Sequence, residues 1–457
     1  MYIIKAKTNS EIQEISTADR TLLSRWRVST FWVCLVGYIG YYLCRANFPA
    51  AFPILSETFH YTNSELGVIA ALSEATYALG KFTMGPLTDR LGGRKIFLVG
   101  MAGGVLLNVA FSLCSTILAF TVVWCLCRFF LSMGWGGLTK MIGHWYPPER
   151  NGTIMGVISI NFQFGGVLGT MFAGYLVSLN MGWRSLFYGP ALATFLIFVW
   201  SYFFSRDRPR DVITGAELDL RKSHKKQLLK SNDDQTSEHV DVLEIVKSLL
   251  TMPLFQKLLL FSFIAHILRS FFFFWTAKFL VDIGMGASNA IFNSALFPLF
   301  GCLGTILLGW YTDRGAKSTD RARPMWIMLV GLSACLALIT FYTQTPNPAD
   351  HFKAIVVLLS ASGFLLLAPY SMTAGALTLD IAGARGAGTS SGLIDGTGYL
   401  GGALATWATG LLADRLGWSQ VFLFLSFFGL IAAFAAFLMS RGFQQATRDA
   451  RAEKTAE

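Results

Sequence analysis

GYIGYYLCRANF, residues 37–48, sets an arginine inside an apolar, aromatic run that extends over about residues 28–52 and is long enough to cross a membrane. On insertion scales an arginine at the centre of a membrane helix costs roughly 2.5–3.5 kcal/mol, so Arg45 needs water, a counter-ion or a ligand. A second stretch repeats the problem. HILRSFFFFW, 266–275, holds Arg269 inside another apolar run. The interval from Arg45 to Arg269 equals the interval from Asp89 of GPLTDR (85–90) to Asp313 of GWYTDR (309–314). A later pair, GGVLGTMFAG (165–174) and GGALATWATG (401–410), is spaced slightly wider. The chain reads as a duplication whose connecting segments differ in length, and two-half repeats of this kind place a binding site between the halves at the midplane.

The composition agrees. Of 457 residues, 53% are hydrophobic and 14% charged, with 39 Phe and 44 Gly. Soluble domains carry about 25% charged residues. Twelve spans are expected, near 28–52, 65–87, 95–114, 117–143, 153–179, 184–204, 254–280, 290–311, 325–343, 353–378, 388–412 and 419–440. This predicts an all-α polytopic membrane protein of twelve transmembrane helices in two pseudo-symmetric six-helix halves. The expected divisions are an N-terminal segment 1–27, a bundle 28–206, a polar linker 207–253, a bundle 254–441 and a tail 442–457. An amphipathic helix is expected at the linker's end. The net charge of +10 lies mainly between spans, so it is no nucleic-acid signature. The seven Cys lack paired or metal-ligand spacing, and there is no nucleophile–base constellation. No disulfide, metal, cofactor or enzymatic activity is expected. The N-terminal stretch MYIIKAKTNSEIQEISTADR does not read as a cleavable signal.

Cations orient the spans. Arg20, Arg25 and Arg27 precede the first; Arg90, Arg94 and Lys95 follow the second; Arg314, Lys317, Arg321 and Arg323 follow the eighth. The alternate loops 53–64 and 281–289 have no Lys or Arg. Both termini and the linker are therefore expected on the cytoplasmic side. Within the spans, Tyr38, Tyr42 and Arg45 share one helical face, as do Glu74, Tyr77 and Lys81, His266 and Arg269, and Asp395 and Tyr399. Such faces are expected to line an aqueous cavity. The bland alternatives are tyrosines that merely pack and arginines that pair with Glu74 or Asp395. Arg128, also intramembrane, is open to a functional role, to snorkelling or to bonding with nearby carbonyls. Lys140 and His144 lie nearer the helix end, as entrance or interface residues.

GPLTDRLGGRK (85–95) resembles the loop signature of the major facilitator superfamily at Gly85, Asp89, Arg90, Gly92, Arg94 and Lys95, and the resemblance covers essentially the whole chain. Asp89 and its repeat Asp313–Arg314 would then act in gating. Within that superfamily the chain resembles the organophosphate:phosphate antiporters, through GYIGYYLCRANFPAAFPIL (37–55), YALGKFTMGPLTDR (77–90), MGWGGLTKMIGHWYPPERNG (133–152), ILRSFFFFWTAKFL (267–280) and SGLIDGTGYLGG (391–402). The resemblance implies that Arg45 and Arg269 bind phosphate and that Tyr38, Tyr42, Tyr77, Lys81 and Tyr399 share the site. Lys81 has two candidate partners, the substrate or Asp395. The chain departs from the glycerol-3-phosphate carriers at helix five, where it has Phe162 and Gln163 in place of a histidine, at helix ten, where Leu367 stands for a tyrosine, and by having Glu74 and Asp395. These departures argue against glycerol 3-phosphate but not against phosphate recognition. The implied function is exchange of a phosphorylated metabolite for inorganic phosphate by a monomer in a bacterial inner membrane. The alternatives are a sugar-phosphate receptor that signals to a kinase, and a proton-coupled organic anion carrier.

Overall fold

Apolar runs of this length can satisfy their backbone in a bilayer only as helices or closed barrels. The chain forms helices throughout the computed structural model, which describes residues 17–146, 148–213, 242–314, 322–373 and 376–456. In the first half these are α1 (Thr17–Phe59), α2 (Asn63–Leu91), α3 (Gly93–Leu113), α4 (Ile117–Leu131), α5 (Met133–Trp145), α6 (Pro148–Ser178) and α7 (Ser185–Phe204). A short α8 (Val242–Thr251) precedes the second half: α9 (Pro253–Asp282), α10 (Ala287–Ser294), α11 (Leu296–Arg314), α12 (Ala322–Thr343), α13 (Phe352–Thr373), α14 (Ala376–Leu416) and α15 (Trp418–Ala456). α4–α5 and α10–α11 each make one pass, interrupted at Ser132 and Ala295. Among the described residues the passes number twelve, one for each expected span. α8 stands where an amphipathic helix was expected. α1 begins well before residue 28, and α15 continues through most of the expected tail.

Nine passes among the described residues are long and apolar enough to cross a membrane on composition alone. The other three, α1, α2 and α14, carry Arg45, Glu74, Lys81 and Asp395. Two of them, α2 and α14, pack along each other.

The duplication is visible in the packing. α1 packs on α6 and α7 as α9 packs on α14 and α15. The pairs α2–α4 and α3–α7 have counterparts in α11–α13 and α12–α15. Glycines of the two matched motifs permit close approaches in two of these pairs. A Cβ on Gly169 would stand 2.9 Å from the Tyr42 carbonyl oxygen, and one on Gly401 would stand 2.6 Å from that of Phe263.

The halves meet mainly along α2 and α14, which run antiparallel: Asn63 is beside Asp414, and Lys81 is beside Asp395. An even number of passes puts both chain termini at one end of the bundle. At the opposite end, hereafter the far end, Phe52 of α1 packs on Trp275 of α9, with ring centroids 5.2 Å apart. There also the Ser288 hydroxyl donates to the Gly174 carbonyl at 3.3 Å. Near the termini the halves leave an open cavity between α2, α5 and α14.

Candidate functional site

α1 carries Arg45 into the interior, where the residue is 5% exposed. Its guanidinium carbon lies 4.8 Å from the centroid of Tyr77 and 5.4 Å from that of Tyr42. Glu74, one turn before Tyr77 on α2, is also buried. Its carboxylate forms a close ion pair with Arg128 of α4, and Arg45 Nη2 stands 3.9 Å from the same oxygen. Arg128 therefore does not snorkel. It is fully buried, with its guanidinium carbon 4.3 Å from the Tyr77 centroid. Glu74 serves Arg128 first. Nε and Nη2 of Arg45 are buried without a hydrogen-bond partner, as are Nε and Nη1 of Arg128. Buried donors left unmade are costly, and an anion is one group that would satisfy them.

In the second half Arg269 is 7% exposed. Its guanidinium carbon lies 5.1 Å from the Tyr370 centroid and 5.8 Å from that of Phe273. Arg45 approaches the same Phe273 ring at 5.4 Å. The matched arginines thus converge on one phenyl ring. Among the described residues no carboxylate lies within ion-pair distance of Arg269. His266, one turn earlier, points its Nδ1 at the Ser262 carbonyl, 2.9 Å away, and its Nε2 at the Tyr370 hydroxyl, 3.0 Å away. A carbonyl can only accept, so Nδ1 carries the proton, and in the neutral ring Nε2 accepts from Tyr370.

Lys81 and Asp395 pair across the halves at 2.6 Å. The Lys81 ammonium lies 5.1 Å from the Tyr399 centroid and 5.7 Å from that of Tyr77. The Tyr77 and Tyr399 rings pack at 4.9 Å. Of the two partners open to Lys81, the structure supplies Asp395.

Two cavities flank this core. One, of about 50 Å³, is lined by Tyr42, Phe162, Gln163, Arg269, Phe273 and Leu367 among others. The second, of about 320 Å³, is lined by Lys81, Thr88, Thr139, Asp395 and Tyr399 among others and opens toward the termini end. Gln163 also bridges the halves, donating to the Thr305 hydroxyl at 2.9 Å. Tyr38 packs on Tyr41, Tyr42 and Trp135 and lines neither cavity. His266 likewise stands behind Tyr370 and Tyr399.

The loop signature is placed at the termini end. Arg94 donates from its backbone N–H to Asp207 at 2.7 Å and from Nε to the Ser205 hydroxyl at 3.0 Å, tying the start of α3 to the end of α7. Arg90 is exposed. Lys140 donates to the Thr88 carbonyl at 3.0 Å, and His144 Nδ1 lies 3.1 Å from the Asp207 carbonyl. Both belong to the rim of that end. The side chains of Asp89, Asp313 and Arg314, and Gly85, lie outside the described residues. Sequence reasoning looked for a helix-ten hydroxyl at Leu367 and passed over Tyr370. Three residues further on, the same face carries the hydroxyl beneath Arg269. Phe273 was also missed, for nothing in a run of four Phe marks one of them.

The sequence pattern of the Major Facilitator Superfamily matches residues 34–406. A probable hexose phosphate transport protein of Chlamydia pneumoniae is 27% identical over 409 residues, 88% of each chain. A glycerol-3-phosphate transporter of Bacillus subtilis is 26% identical over 411 residues, 88% of this chain and 89% of its own. A membrane sensor protein of Escherichia coli is 24% identical over 415 residues, 89% of this chain and 91% of its own. Among solved structures, a bacterial homologue of the human lysosomal transporter Spinster superposes with a TM-score of 0.73 at 16% identity, covering 92% of this chain and 98% of that one. Twelve passes, duplicated packing and a match over most of the length have one meaning: the chain is a multi-pass membrane protein of the major facilitator superfamily.

Proposed function

We propose that the protein exchanges a phosphorylated metabolite of the sugar-phosphate or glycerol-phosphate type for inorganic phosphate by alternating access. One observation carries this reading: Arg45 and Arg269, at matched positions of the two halves, approach one ring, with donors of Arg45 unsatisfied and no described carboxylate beside Arg269. A phosphomonoester brings about −1.5 to −2 charge near pH 7 and several strong acceptors. The planar guanidinium fork matches those acceptors in pairs. The names of the hexose phosphate and glycerol-3-phosphate relatives support the same substrate class.

Exchange rather than one-way transport follows from charge. Two guanidinium groups brought to ~6 Å at an effective dielectric of about 20 repel by roughly 3 kcal/mol. An anion between them turns this into attraction, so the loaded carrier crosses and the empty one is held back. We place the protein in a bacterial inner membrane, with both termini and the linker cytoplasmic, because the cation-rich loops lie at the termini end. The bundles span 28–206 and 254–441.

The test is counterflow in proteoliposomes. Uptake of labelled sugar phosphate that requires internal phosphate supports exchange. Specific binding without uptake supports the second reading, a receptor, which the sensor relative favours. Uptake driven by a pH gradient without internal phosphate makes the protein a proton-coupled carrier and overturns the proposal.

A further inference from the structure

The far end of the α2–α14 pair holds a contact that the central site does not use. The Asp414 carboxylate, on the last turn of α14, accepts from the backbone N–H groups of Asn63 and Ser64, at 3.1 and 2.7 Å, and from the Ser64 hydroxyl at 2.6 Å. Asn63 and Ser64 open α2, in the other half. The first N–H groups of a helix have no partner within it and sit at the positive end of its dipole. α2 has a cap of its own: the Thr62 hydroxyl accepts from Glu65 N, and Glu65 reaches back to Thr62 N at 2.9 Å. That cap leaves the first two N–H groups to Asp414. The backbones touch beside it, since a Cβ on Gly410 would overlap the Asn63 carbonyl oxygen.

The sequence around Asp414 sharpens the point. Asp-Arg-Leu-Gly ends α14 at 414–417, and Asp-Arg-Leu-Gly ends α2 at 89–92. In both, the glycine after the helix has positive φ, 79° at Gly417 and 94° at Gly92. Because the two helices are antiparallel, identical endings stand at opposite ends of one pair.

We propose that Asp414 is the latch of the far end, a carboxylate of one half capping a helix of the other, released when the halves part there. The contact joins backbone to side chain, so it sets the register of α14 on α2 as well as their separation. It spans the halves where Phe52 and Trp275 also meet, so opening that end must break it. Two of its three donors on α2 are main-chain N–H groups, which a charge swap between side chains cannot replace. The inference rests on alternating access and is independent of what is carried. Failure of the latch and failure of phosphate exchange are therefore read in different experiments.

The test uses spin labels at two exposed far-end positions, Leu179 in the first half and Gln344 in the second, in a variant lacking the seven native cysteines. Electron–electron distance distributions are recorded for the full chain in lipid nanodiscs. Asp414→Asn is expected to move population toward long distances, raising the open-to-closed ratio about five- to tenfold, the range expected for loss of a charged helix cap. Asp414→Glu should stay near the parent. Asn63→Pro deletes one donor at the first helical position, where proline is well tolerated, and Thr62 already has the extended backbone that a residue before proline prefers. It should give a smaller shift in the same direction, and it carries the test if Asp414→Asn does not fold. Distributions for folded Asp414→Asn or for Asn63→Pro that superpose on the parent's would overturn the proposal.

Discussion

Arg45 and Arg269 occupy matched places in a duplicated scaffold, yet their surroundings differ. Arg45 shares a buried cluster with Arg128 and Glu74, whereas Arg269 rests on Phe273 and Tyr370 with no described carboxylate within ion-pair distance. In the first half two guanidinium groups and one carboxylate leave one net positive charge. In the second, one guanidinium does the same. Lys81 and Asp395 cancel each other across the interface. The duplication has conserved the charge each half presents to the centre while the means of achieving it have diverged. Two net charges suit a dianion. The comparison also separates surroundings: Glu74 lies closest to Arg128, at 3.9 Å from Arg45, and no described carboxylate lies within ion-pair distance of Arg269.

The largest effect is expected where that support is removed. Glu74→Gln strands Arg128 as an uncompensated buried charge, and breaking a buried pair in this way costs about 3–5 kcal/mol. Thermal unfolding of the purified protein in detergent should show a marked loss, and Arg128→Met added to Glu74→Gln should recover much of it. Arg269→Met, which strands no carboxylate, should leave thermal stability near wild type. A Glu74→Gln protein as stable as the parent would dissolve the contrast between the halves.

Next come the arginines as ligands. Arg45→Lys and Arg269→Lys keep the charge and lose the fork, so each should lower phosphate exchange by on the order of 10- to 100-fold, the equivalent of one or two charge-assisted hydrogen bonds. The loss at Arg269 should be the greater, because nothing beside it holds a lysine ammonium in place, while a lysine at 45 can lean toward Glu74. Near-parental exchange in both variants, with normal folded yield, would make the arginines structural.

What could be read from sequence, and what could not, follows the same division. Arg45 and Arg269 were legible because a repeat places them on equivalent helices. Lys81 and Asp395 were legible as alternatives once α2 and α14 were expected to be neighbours. The pairing of Glu74 with Arg128 was not, since it depends on how α2 and α4 are rotated about their axes. Spacing within either helix says nothing of that. Arg128 was accordingly left open to snorkelling. The spans were all read from length and apolarity, α1, α2 and α14 among them, although these three carry more polar residues than the other nine. The breaks at Ser132 and Ala295 fall within continuous apolar runs, so composition does not mark them.

The Lys81–Asp395 pair should matter less than Glu74–Arg128. Its side chains are 22% and 25% exposed, so water shares in their solvation. A double-mutant cycle with Lys81→Met and Asp395→Asn should show a coupling of about 1 kcal/mol, the double variant retaining more folded protein than the sum of the single losses allows. Strict additivity would mean that the two charges are solvated independently.

The smallest expected effect compares the rings beneath the two arginines. Tyr77 faces Arg45, Arg128 and Lys81 with its ring, at 4.8, 4.3 and 5.7 Å from the three cationic centres. A phenylalanine keeps that face, so Tyr77→Phe should change exchange by less than about twofold. Tyr370 does more with its hydroxyl. Its proton goes to His266 Nε2, because the Ser262 carbonyl fixes the other nitrogen as a donor. The bond holds the ring beneath Arg269. Tyr370→Phe removes the bond and leaves a buried acceptor on His266, a penalty of about 1 kcal/mol or somewhat more. It should raise the half-saturating phosphate concentration severalfold and leave the rate at saturation close to the parent's, because the residue positions Arg269 and does not itself cross with the substrate. His266→Ala in the Tyr370→Phe background should then add little, since the two act as one unit. Equal effects of Tyr77→Phe and Tyr370→Phe would mean that both arginines are held by ring faces alone, and that the hydrogen-bonded support of Arg269 has no counterpart in the chemistry of the site.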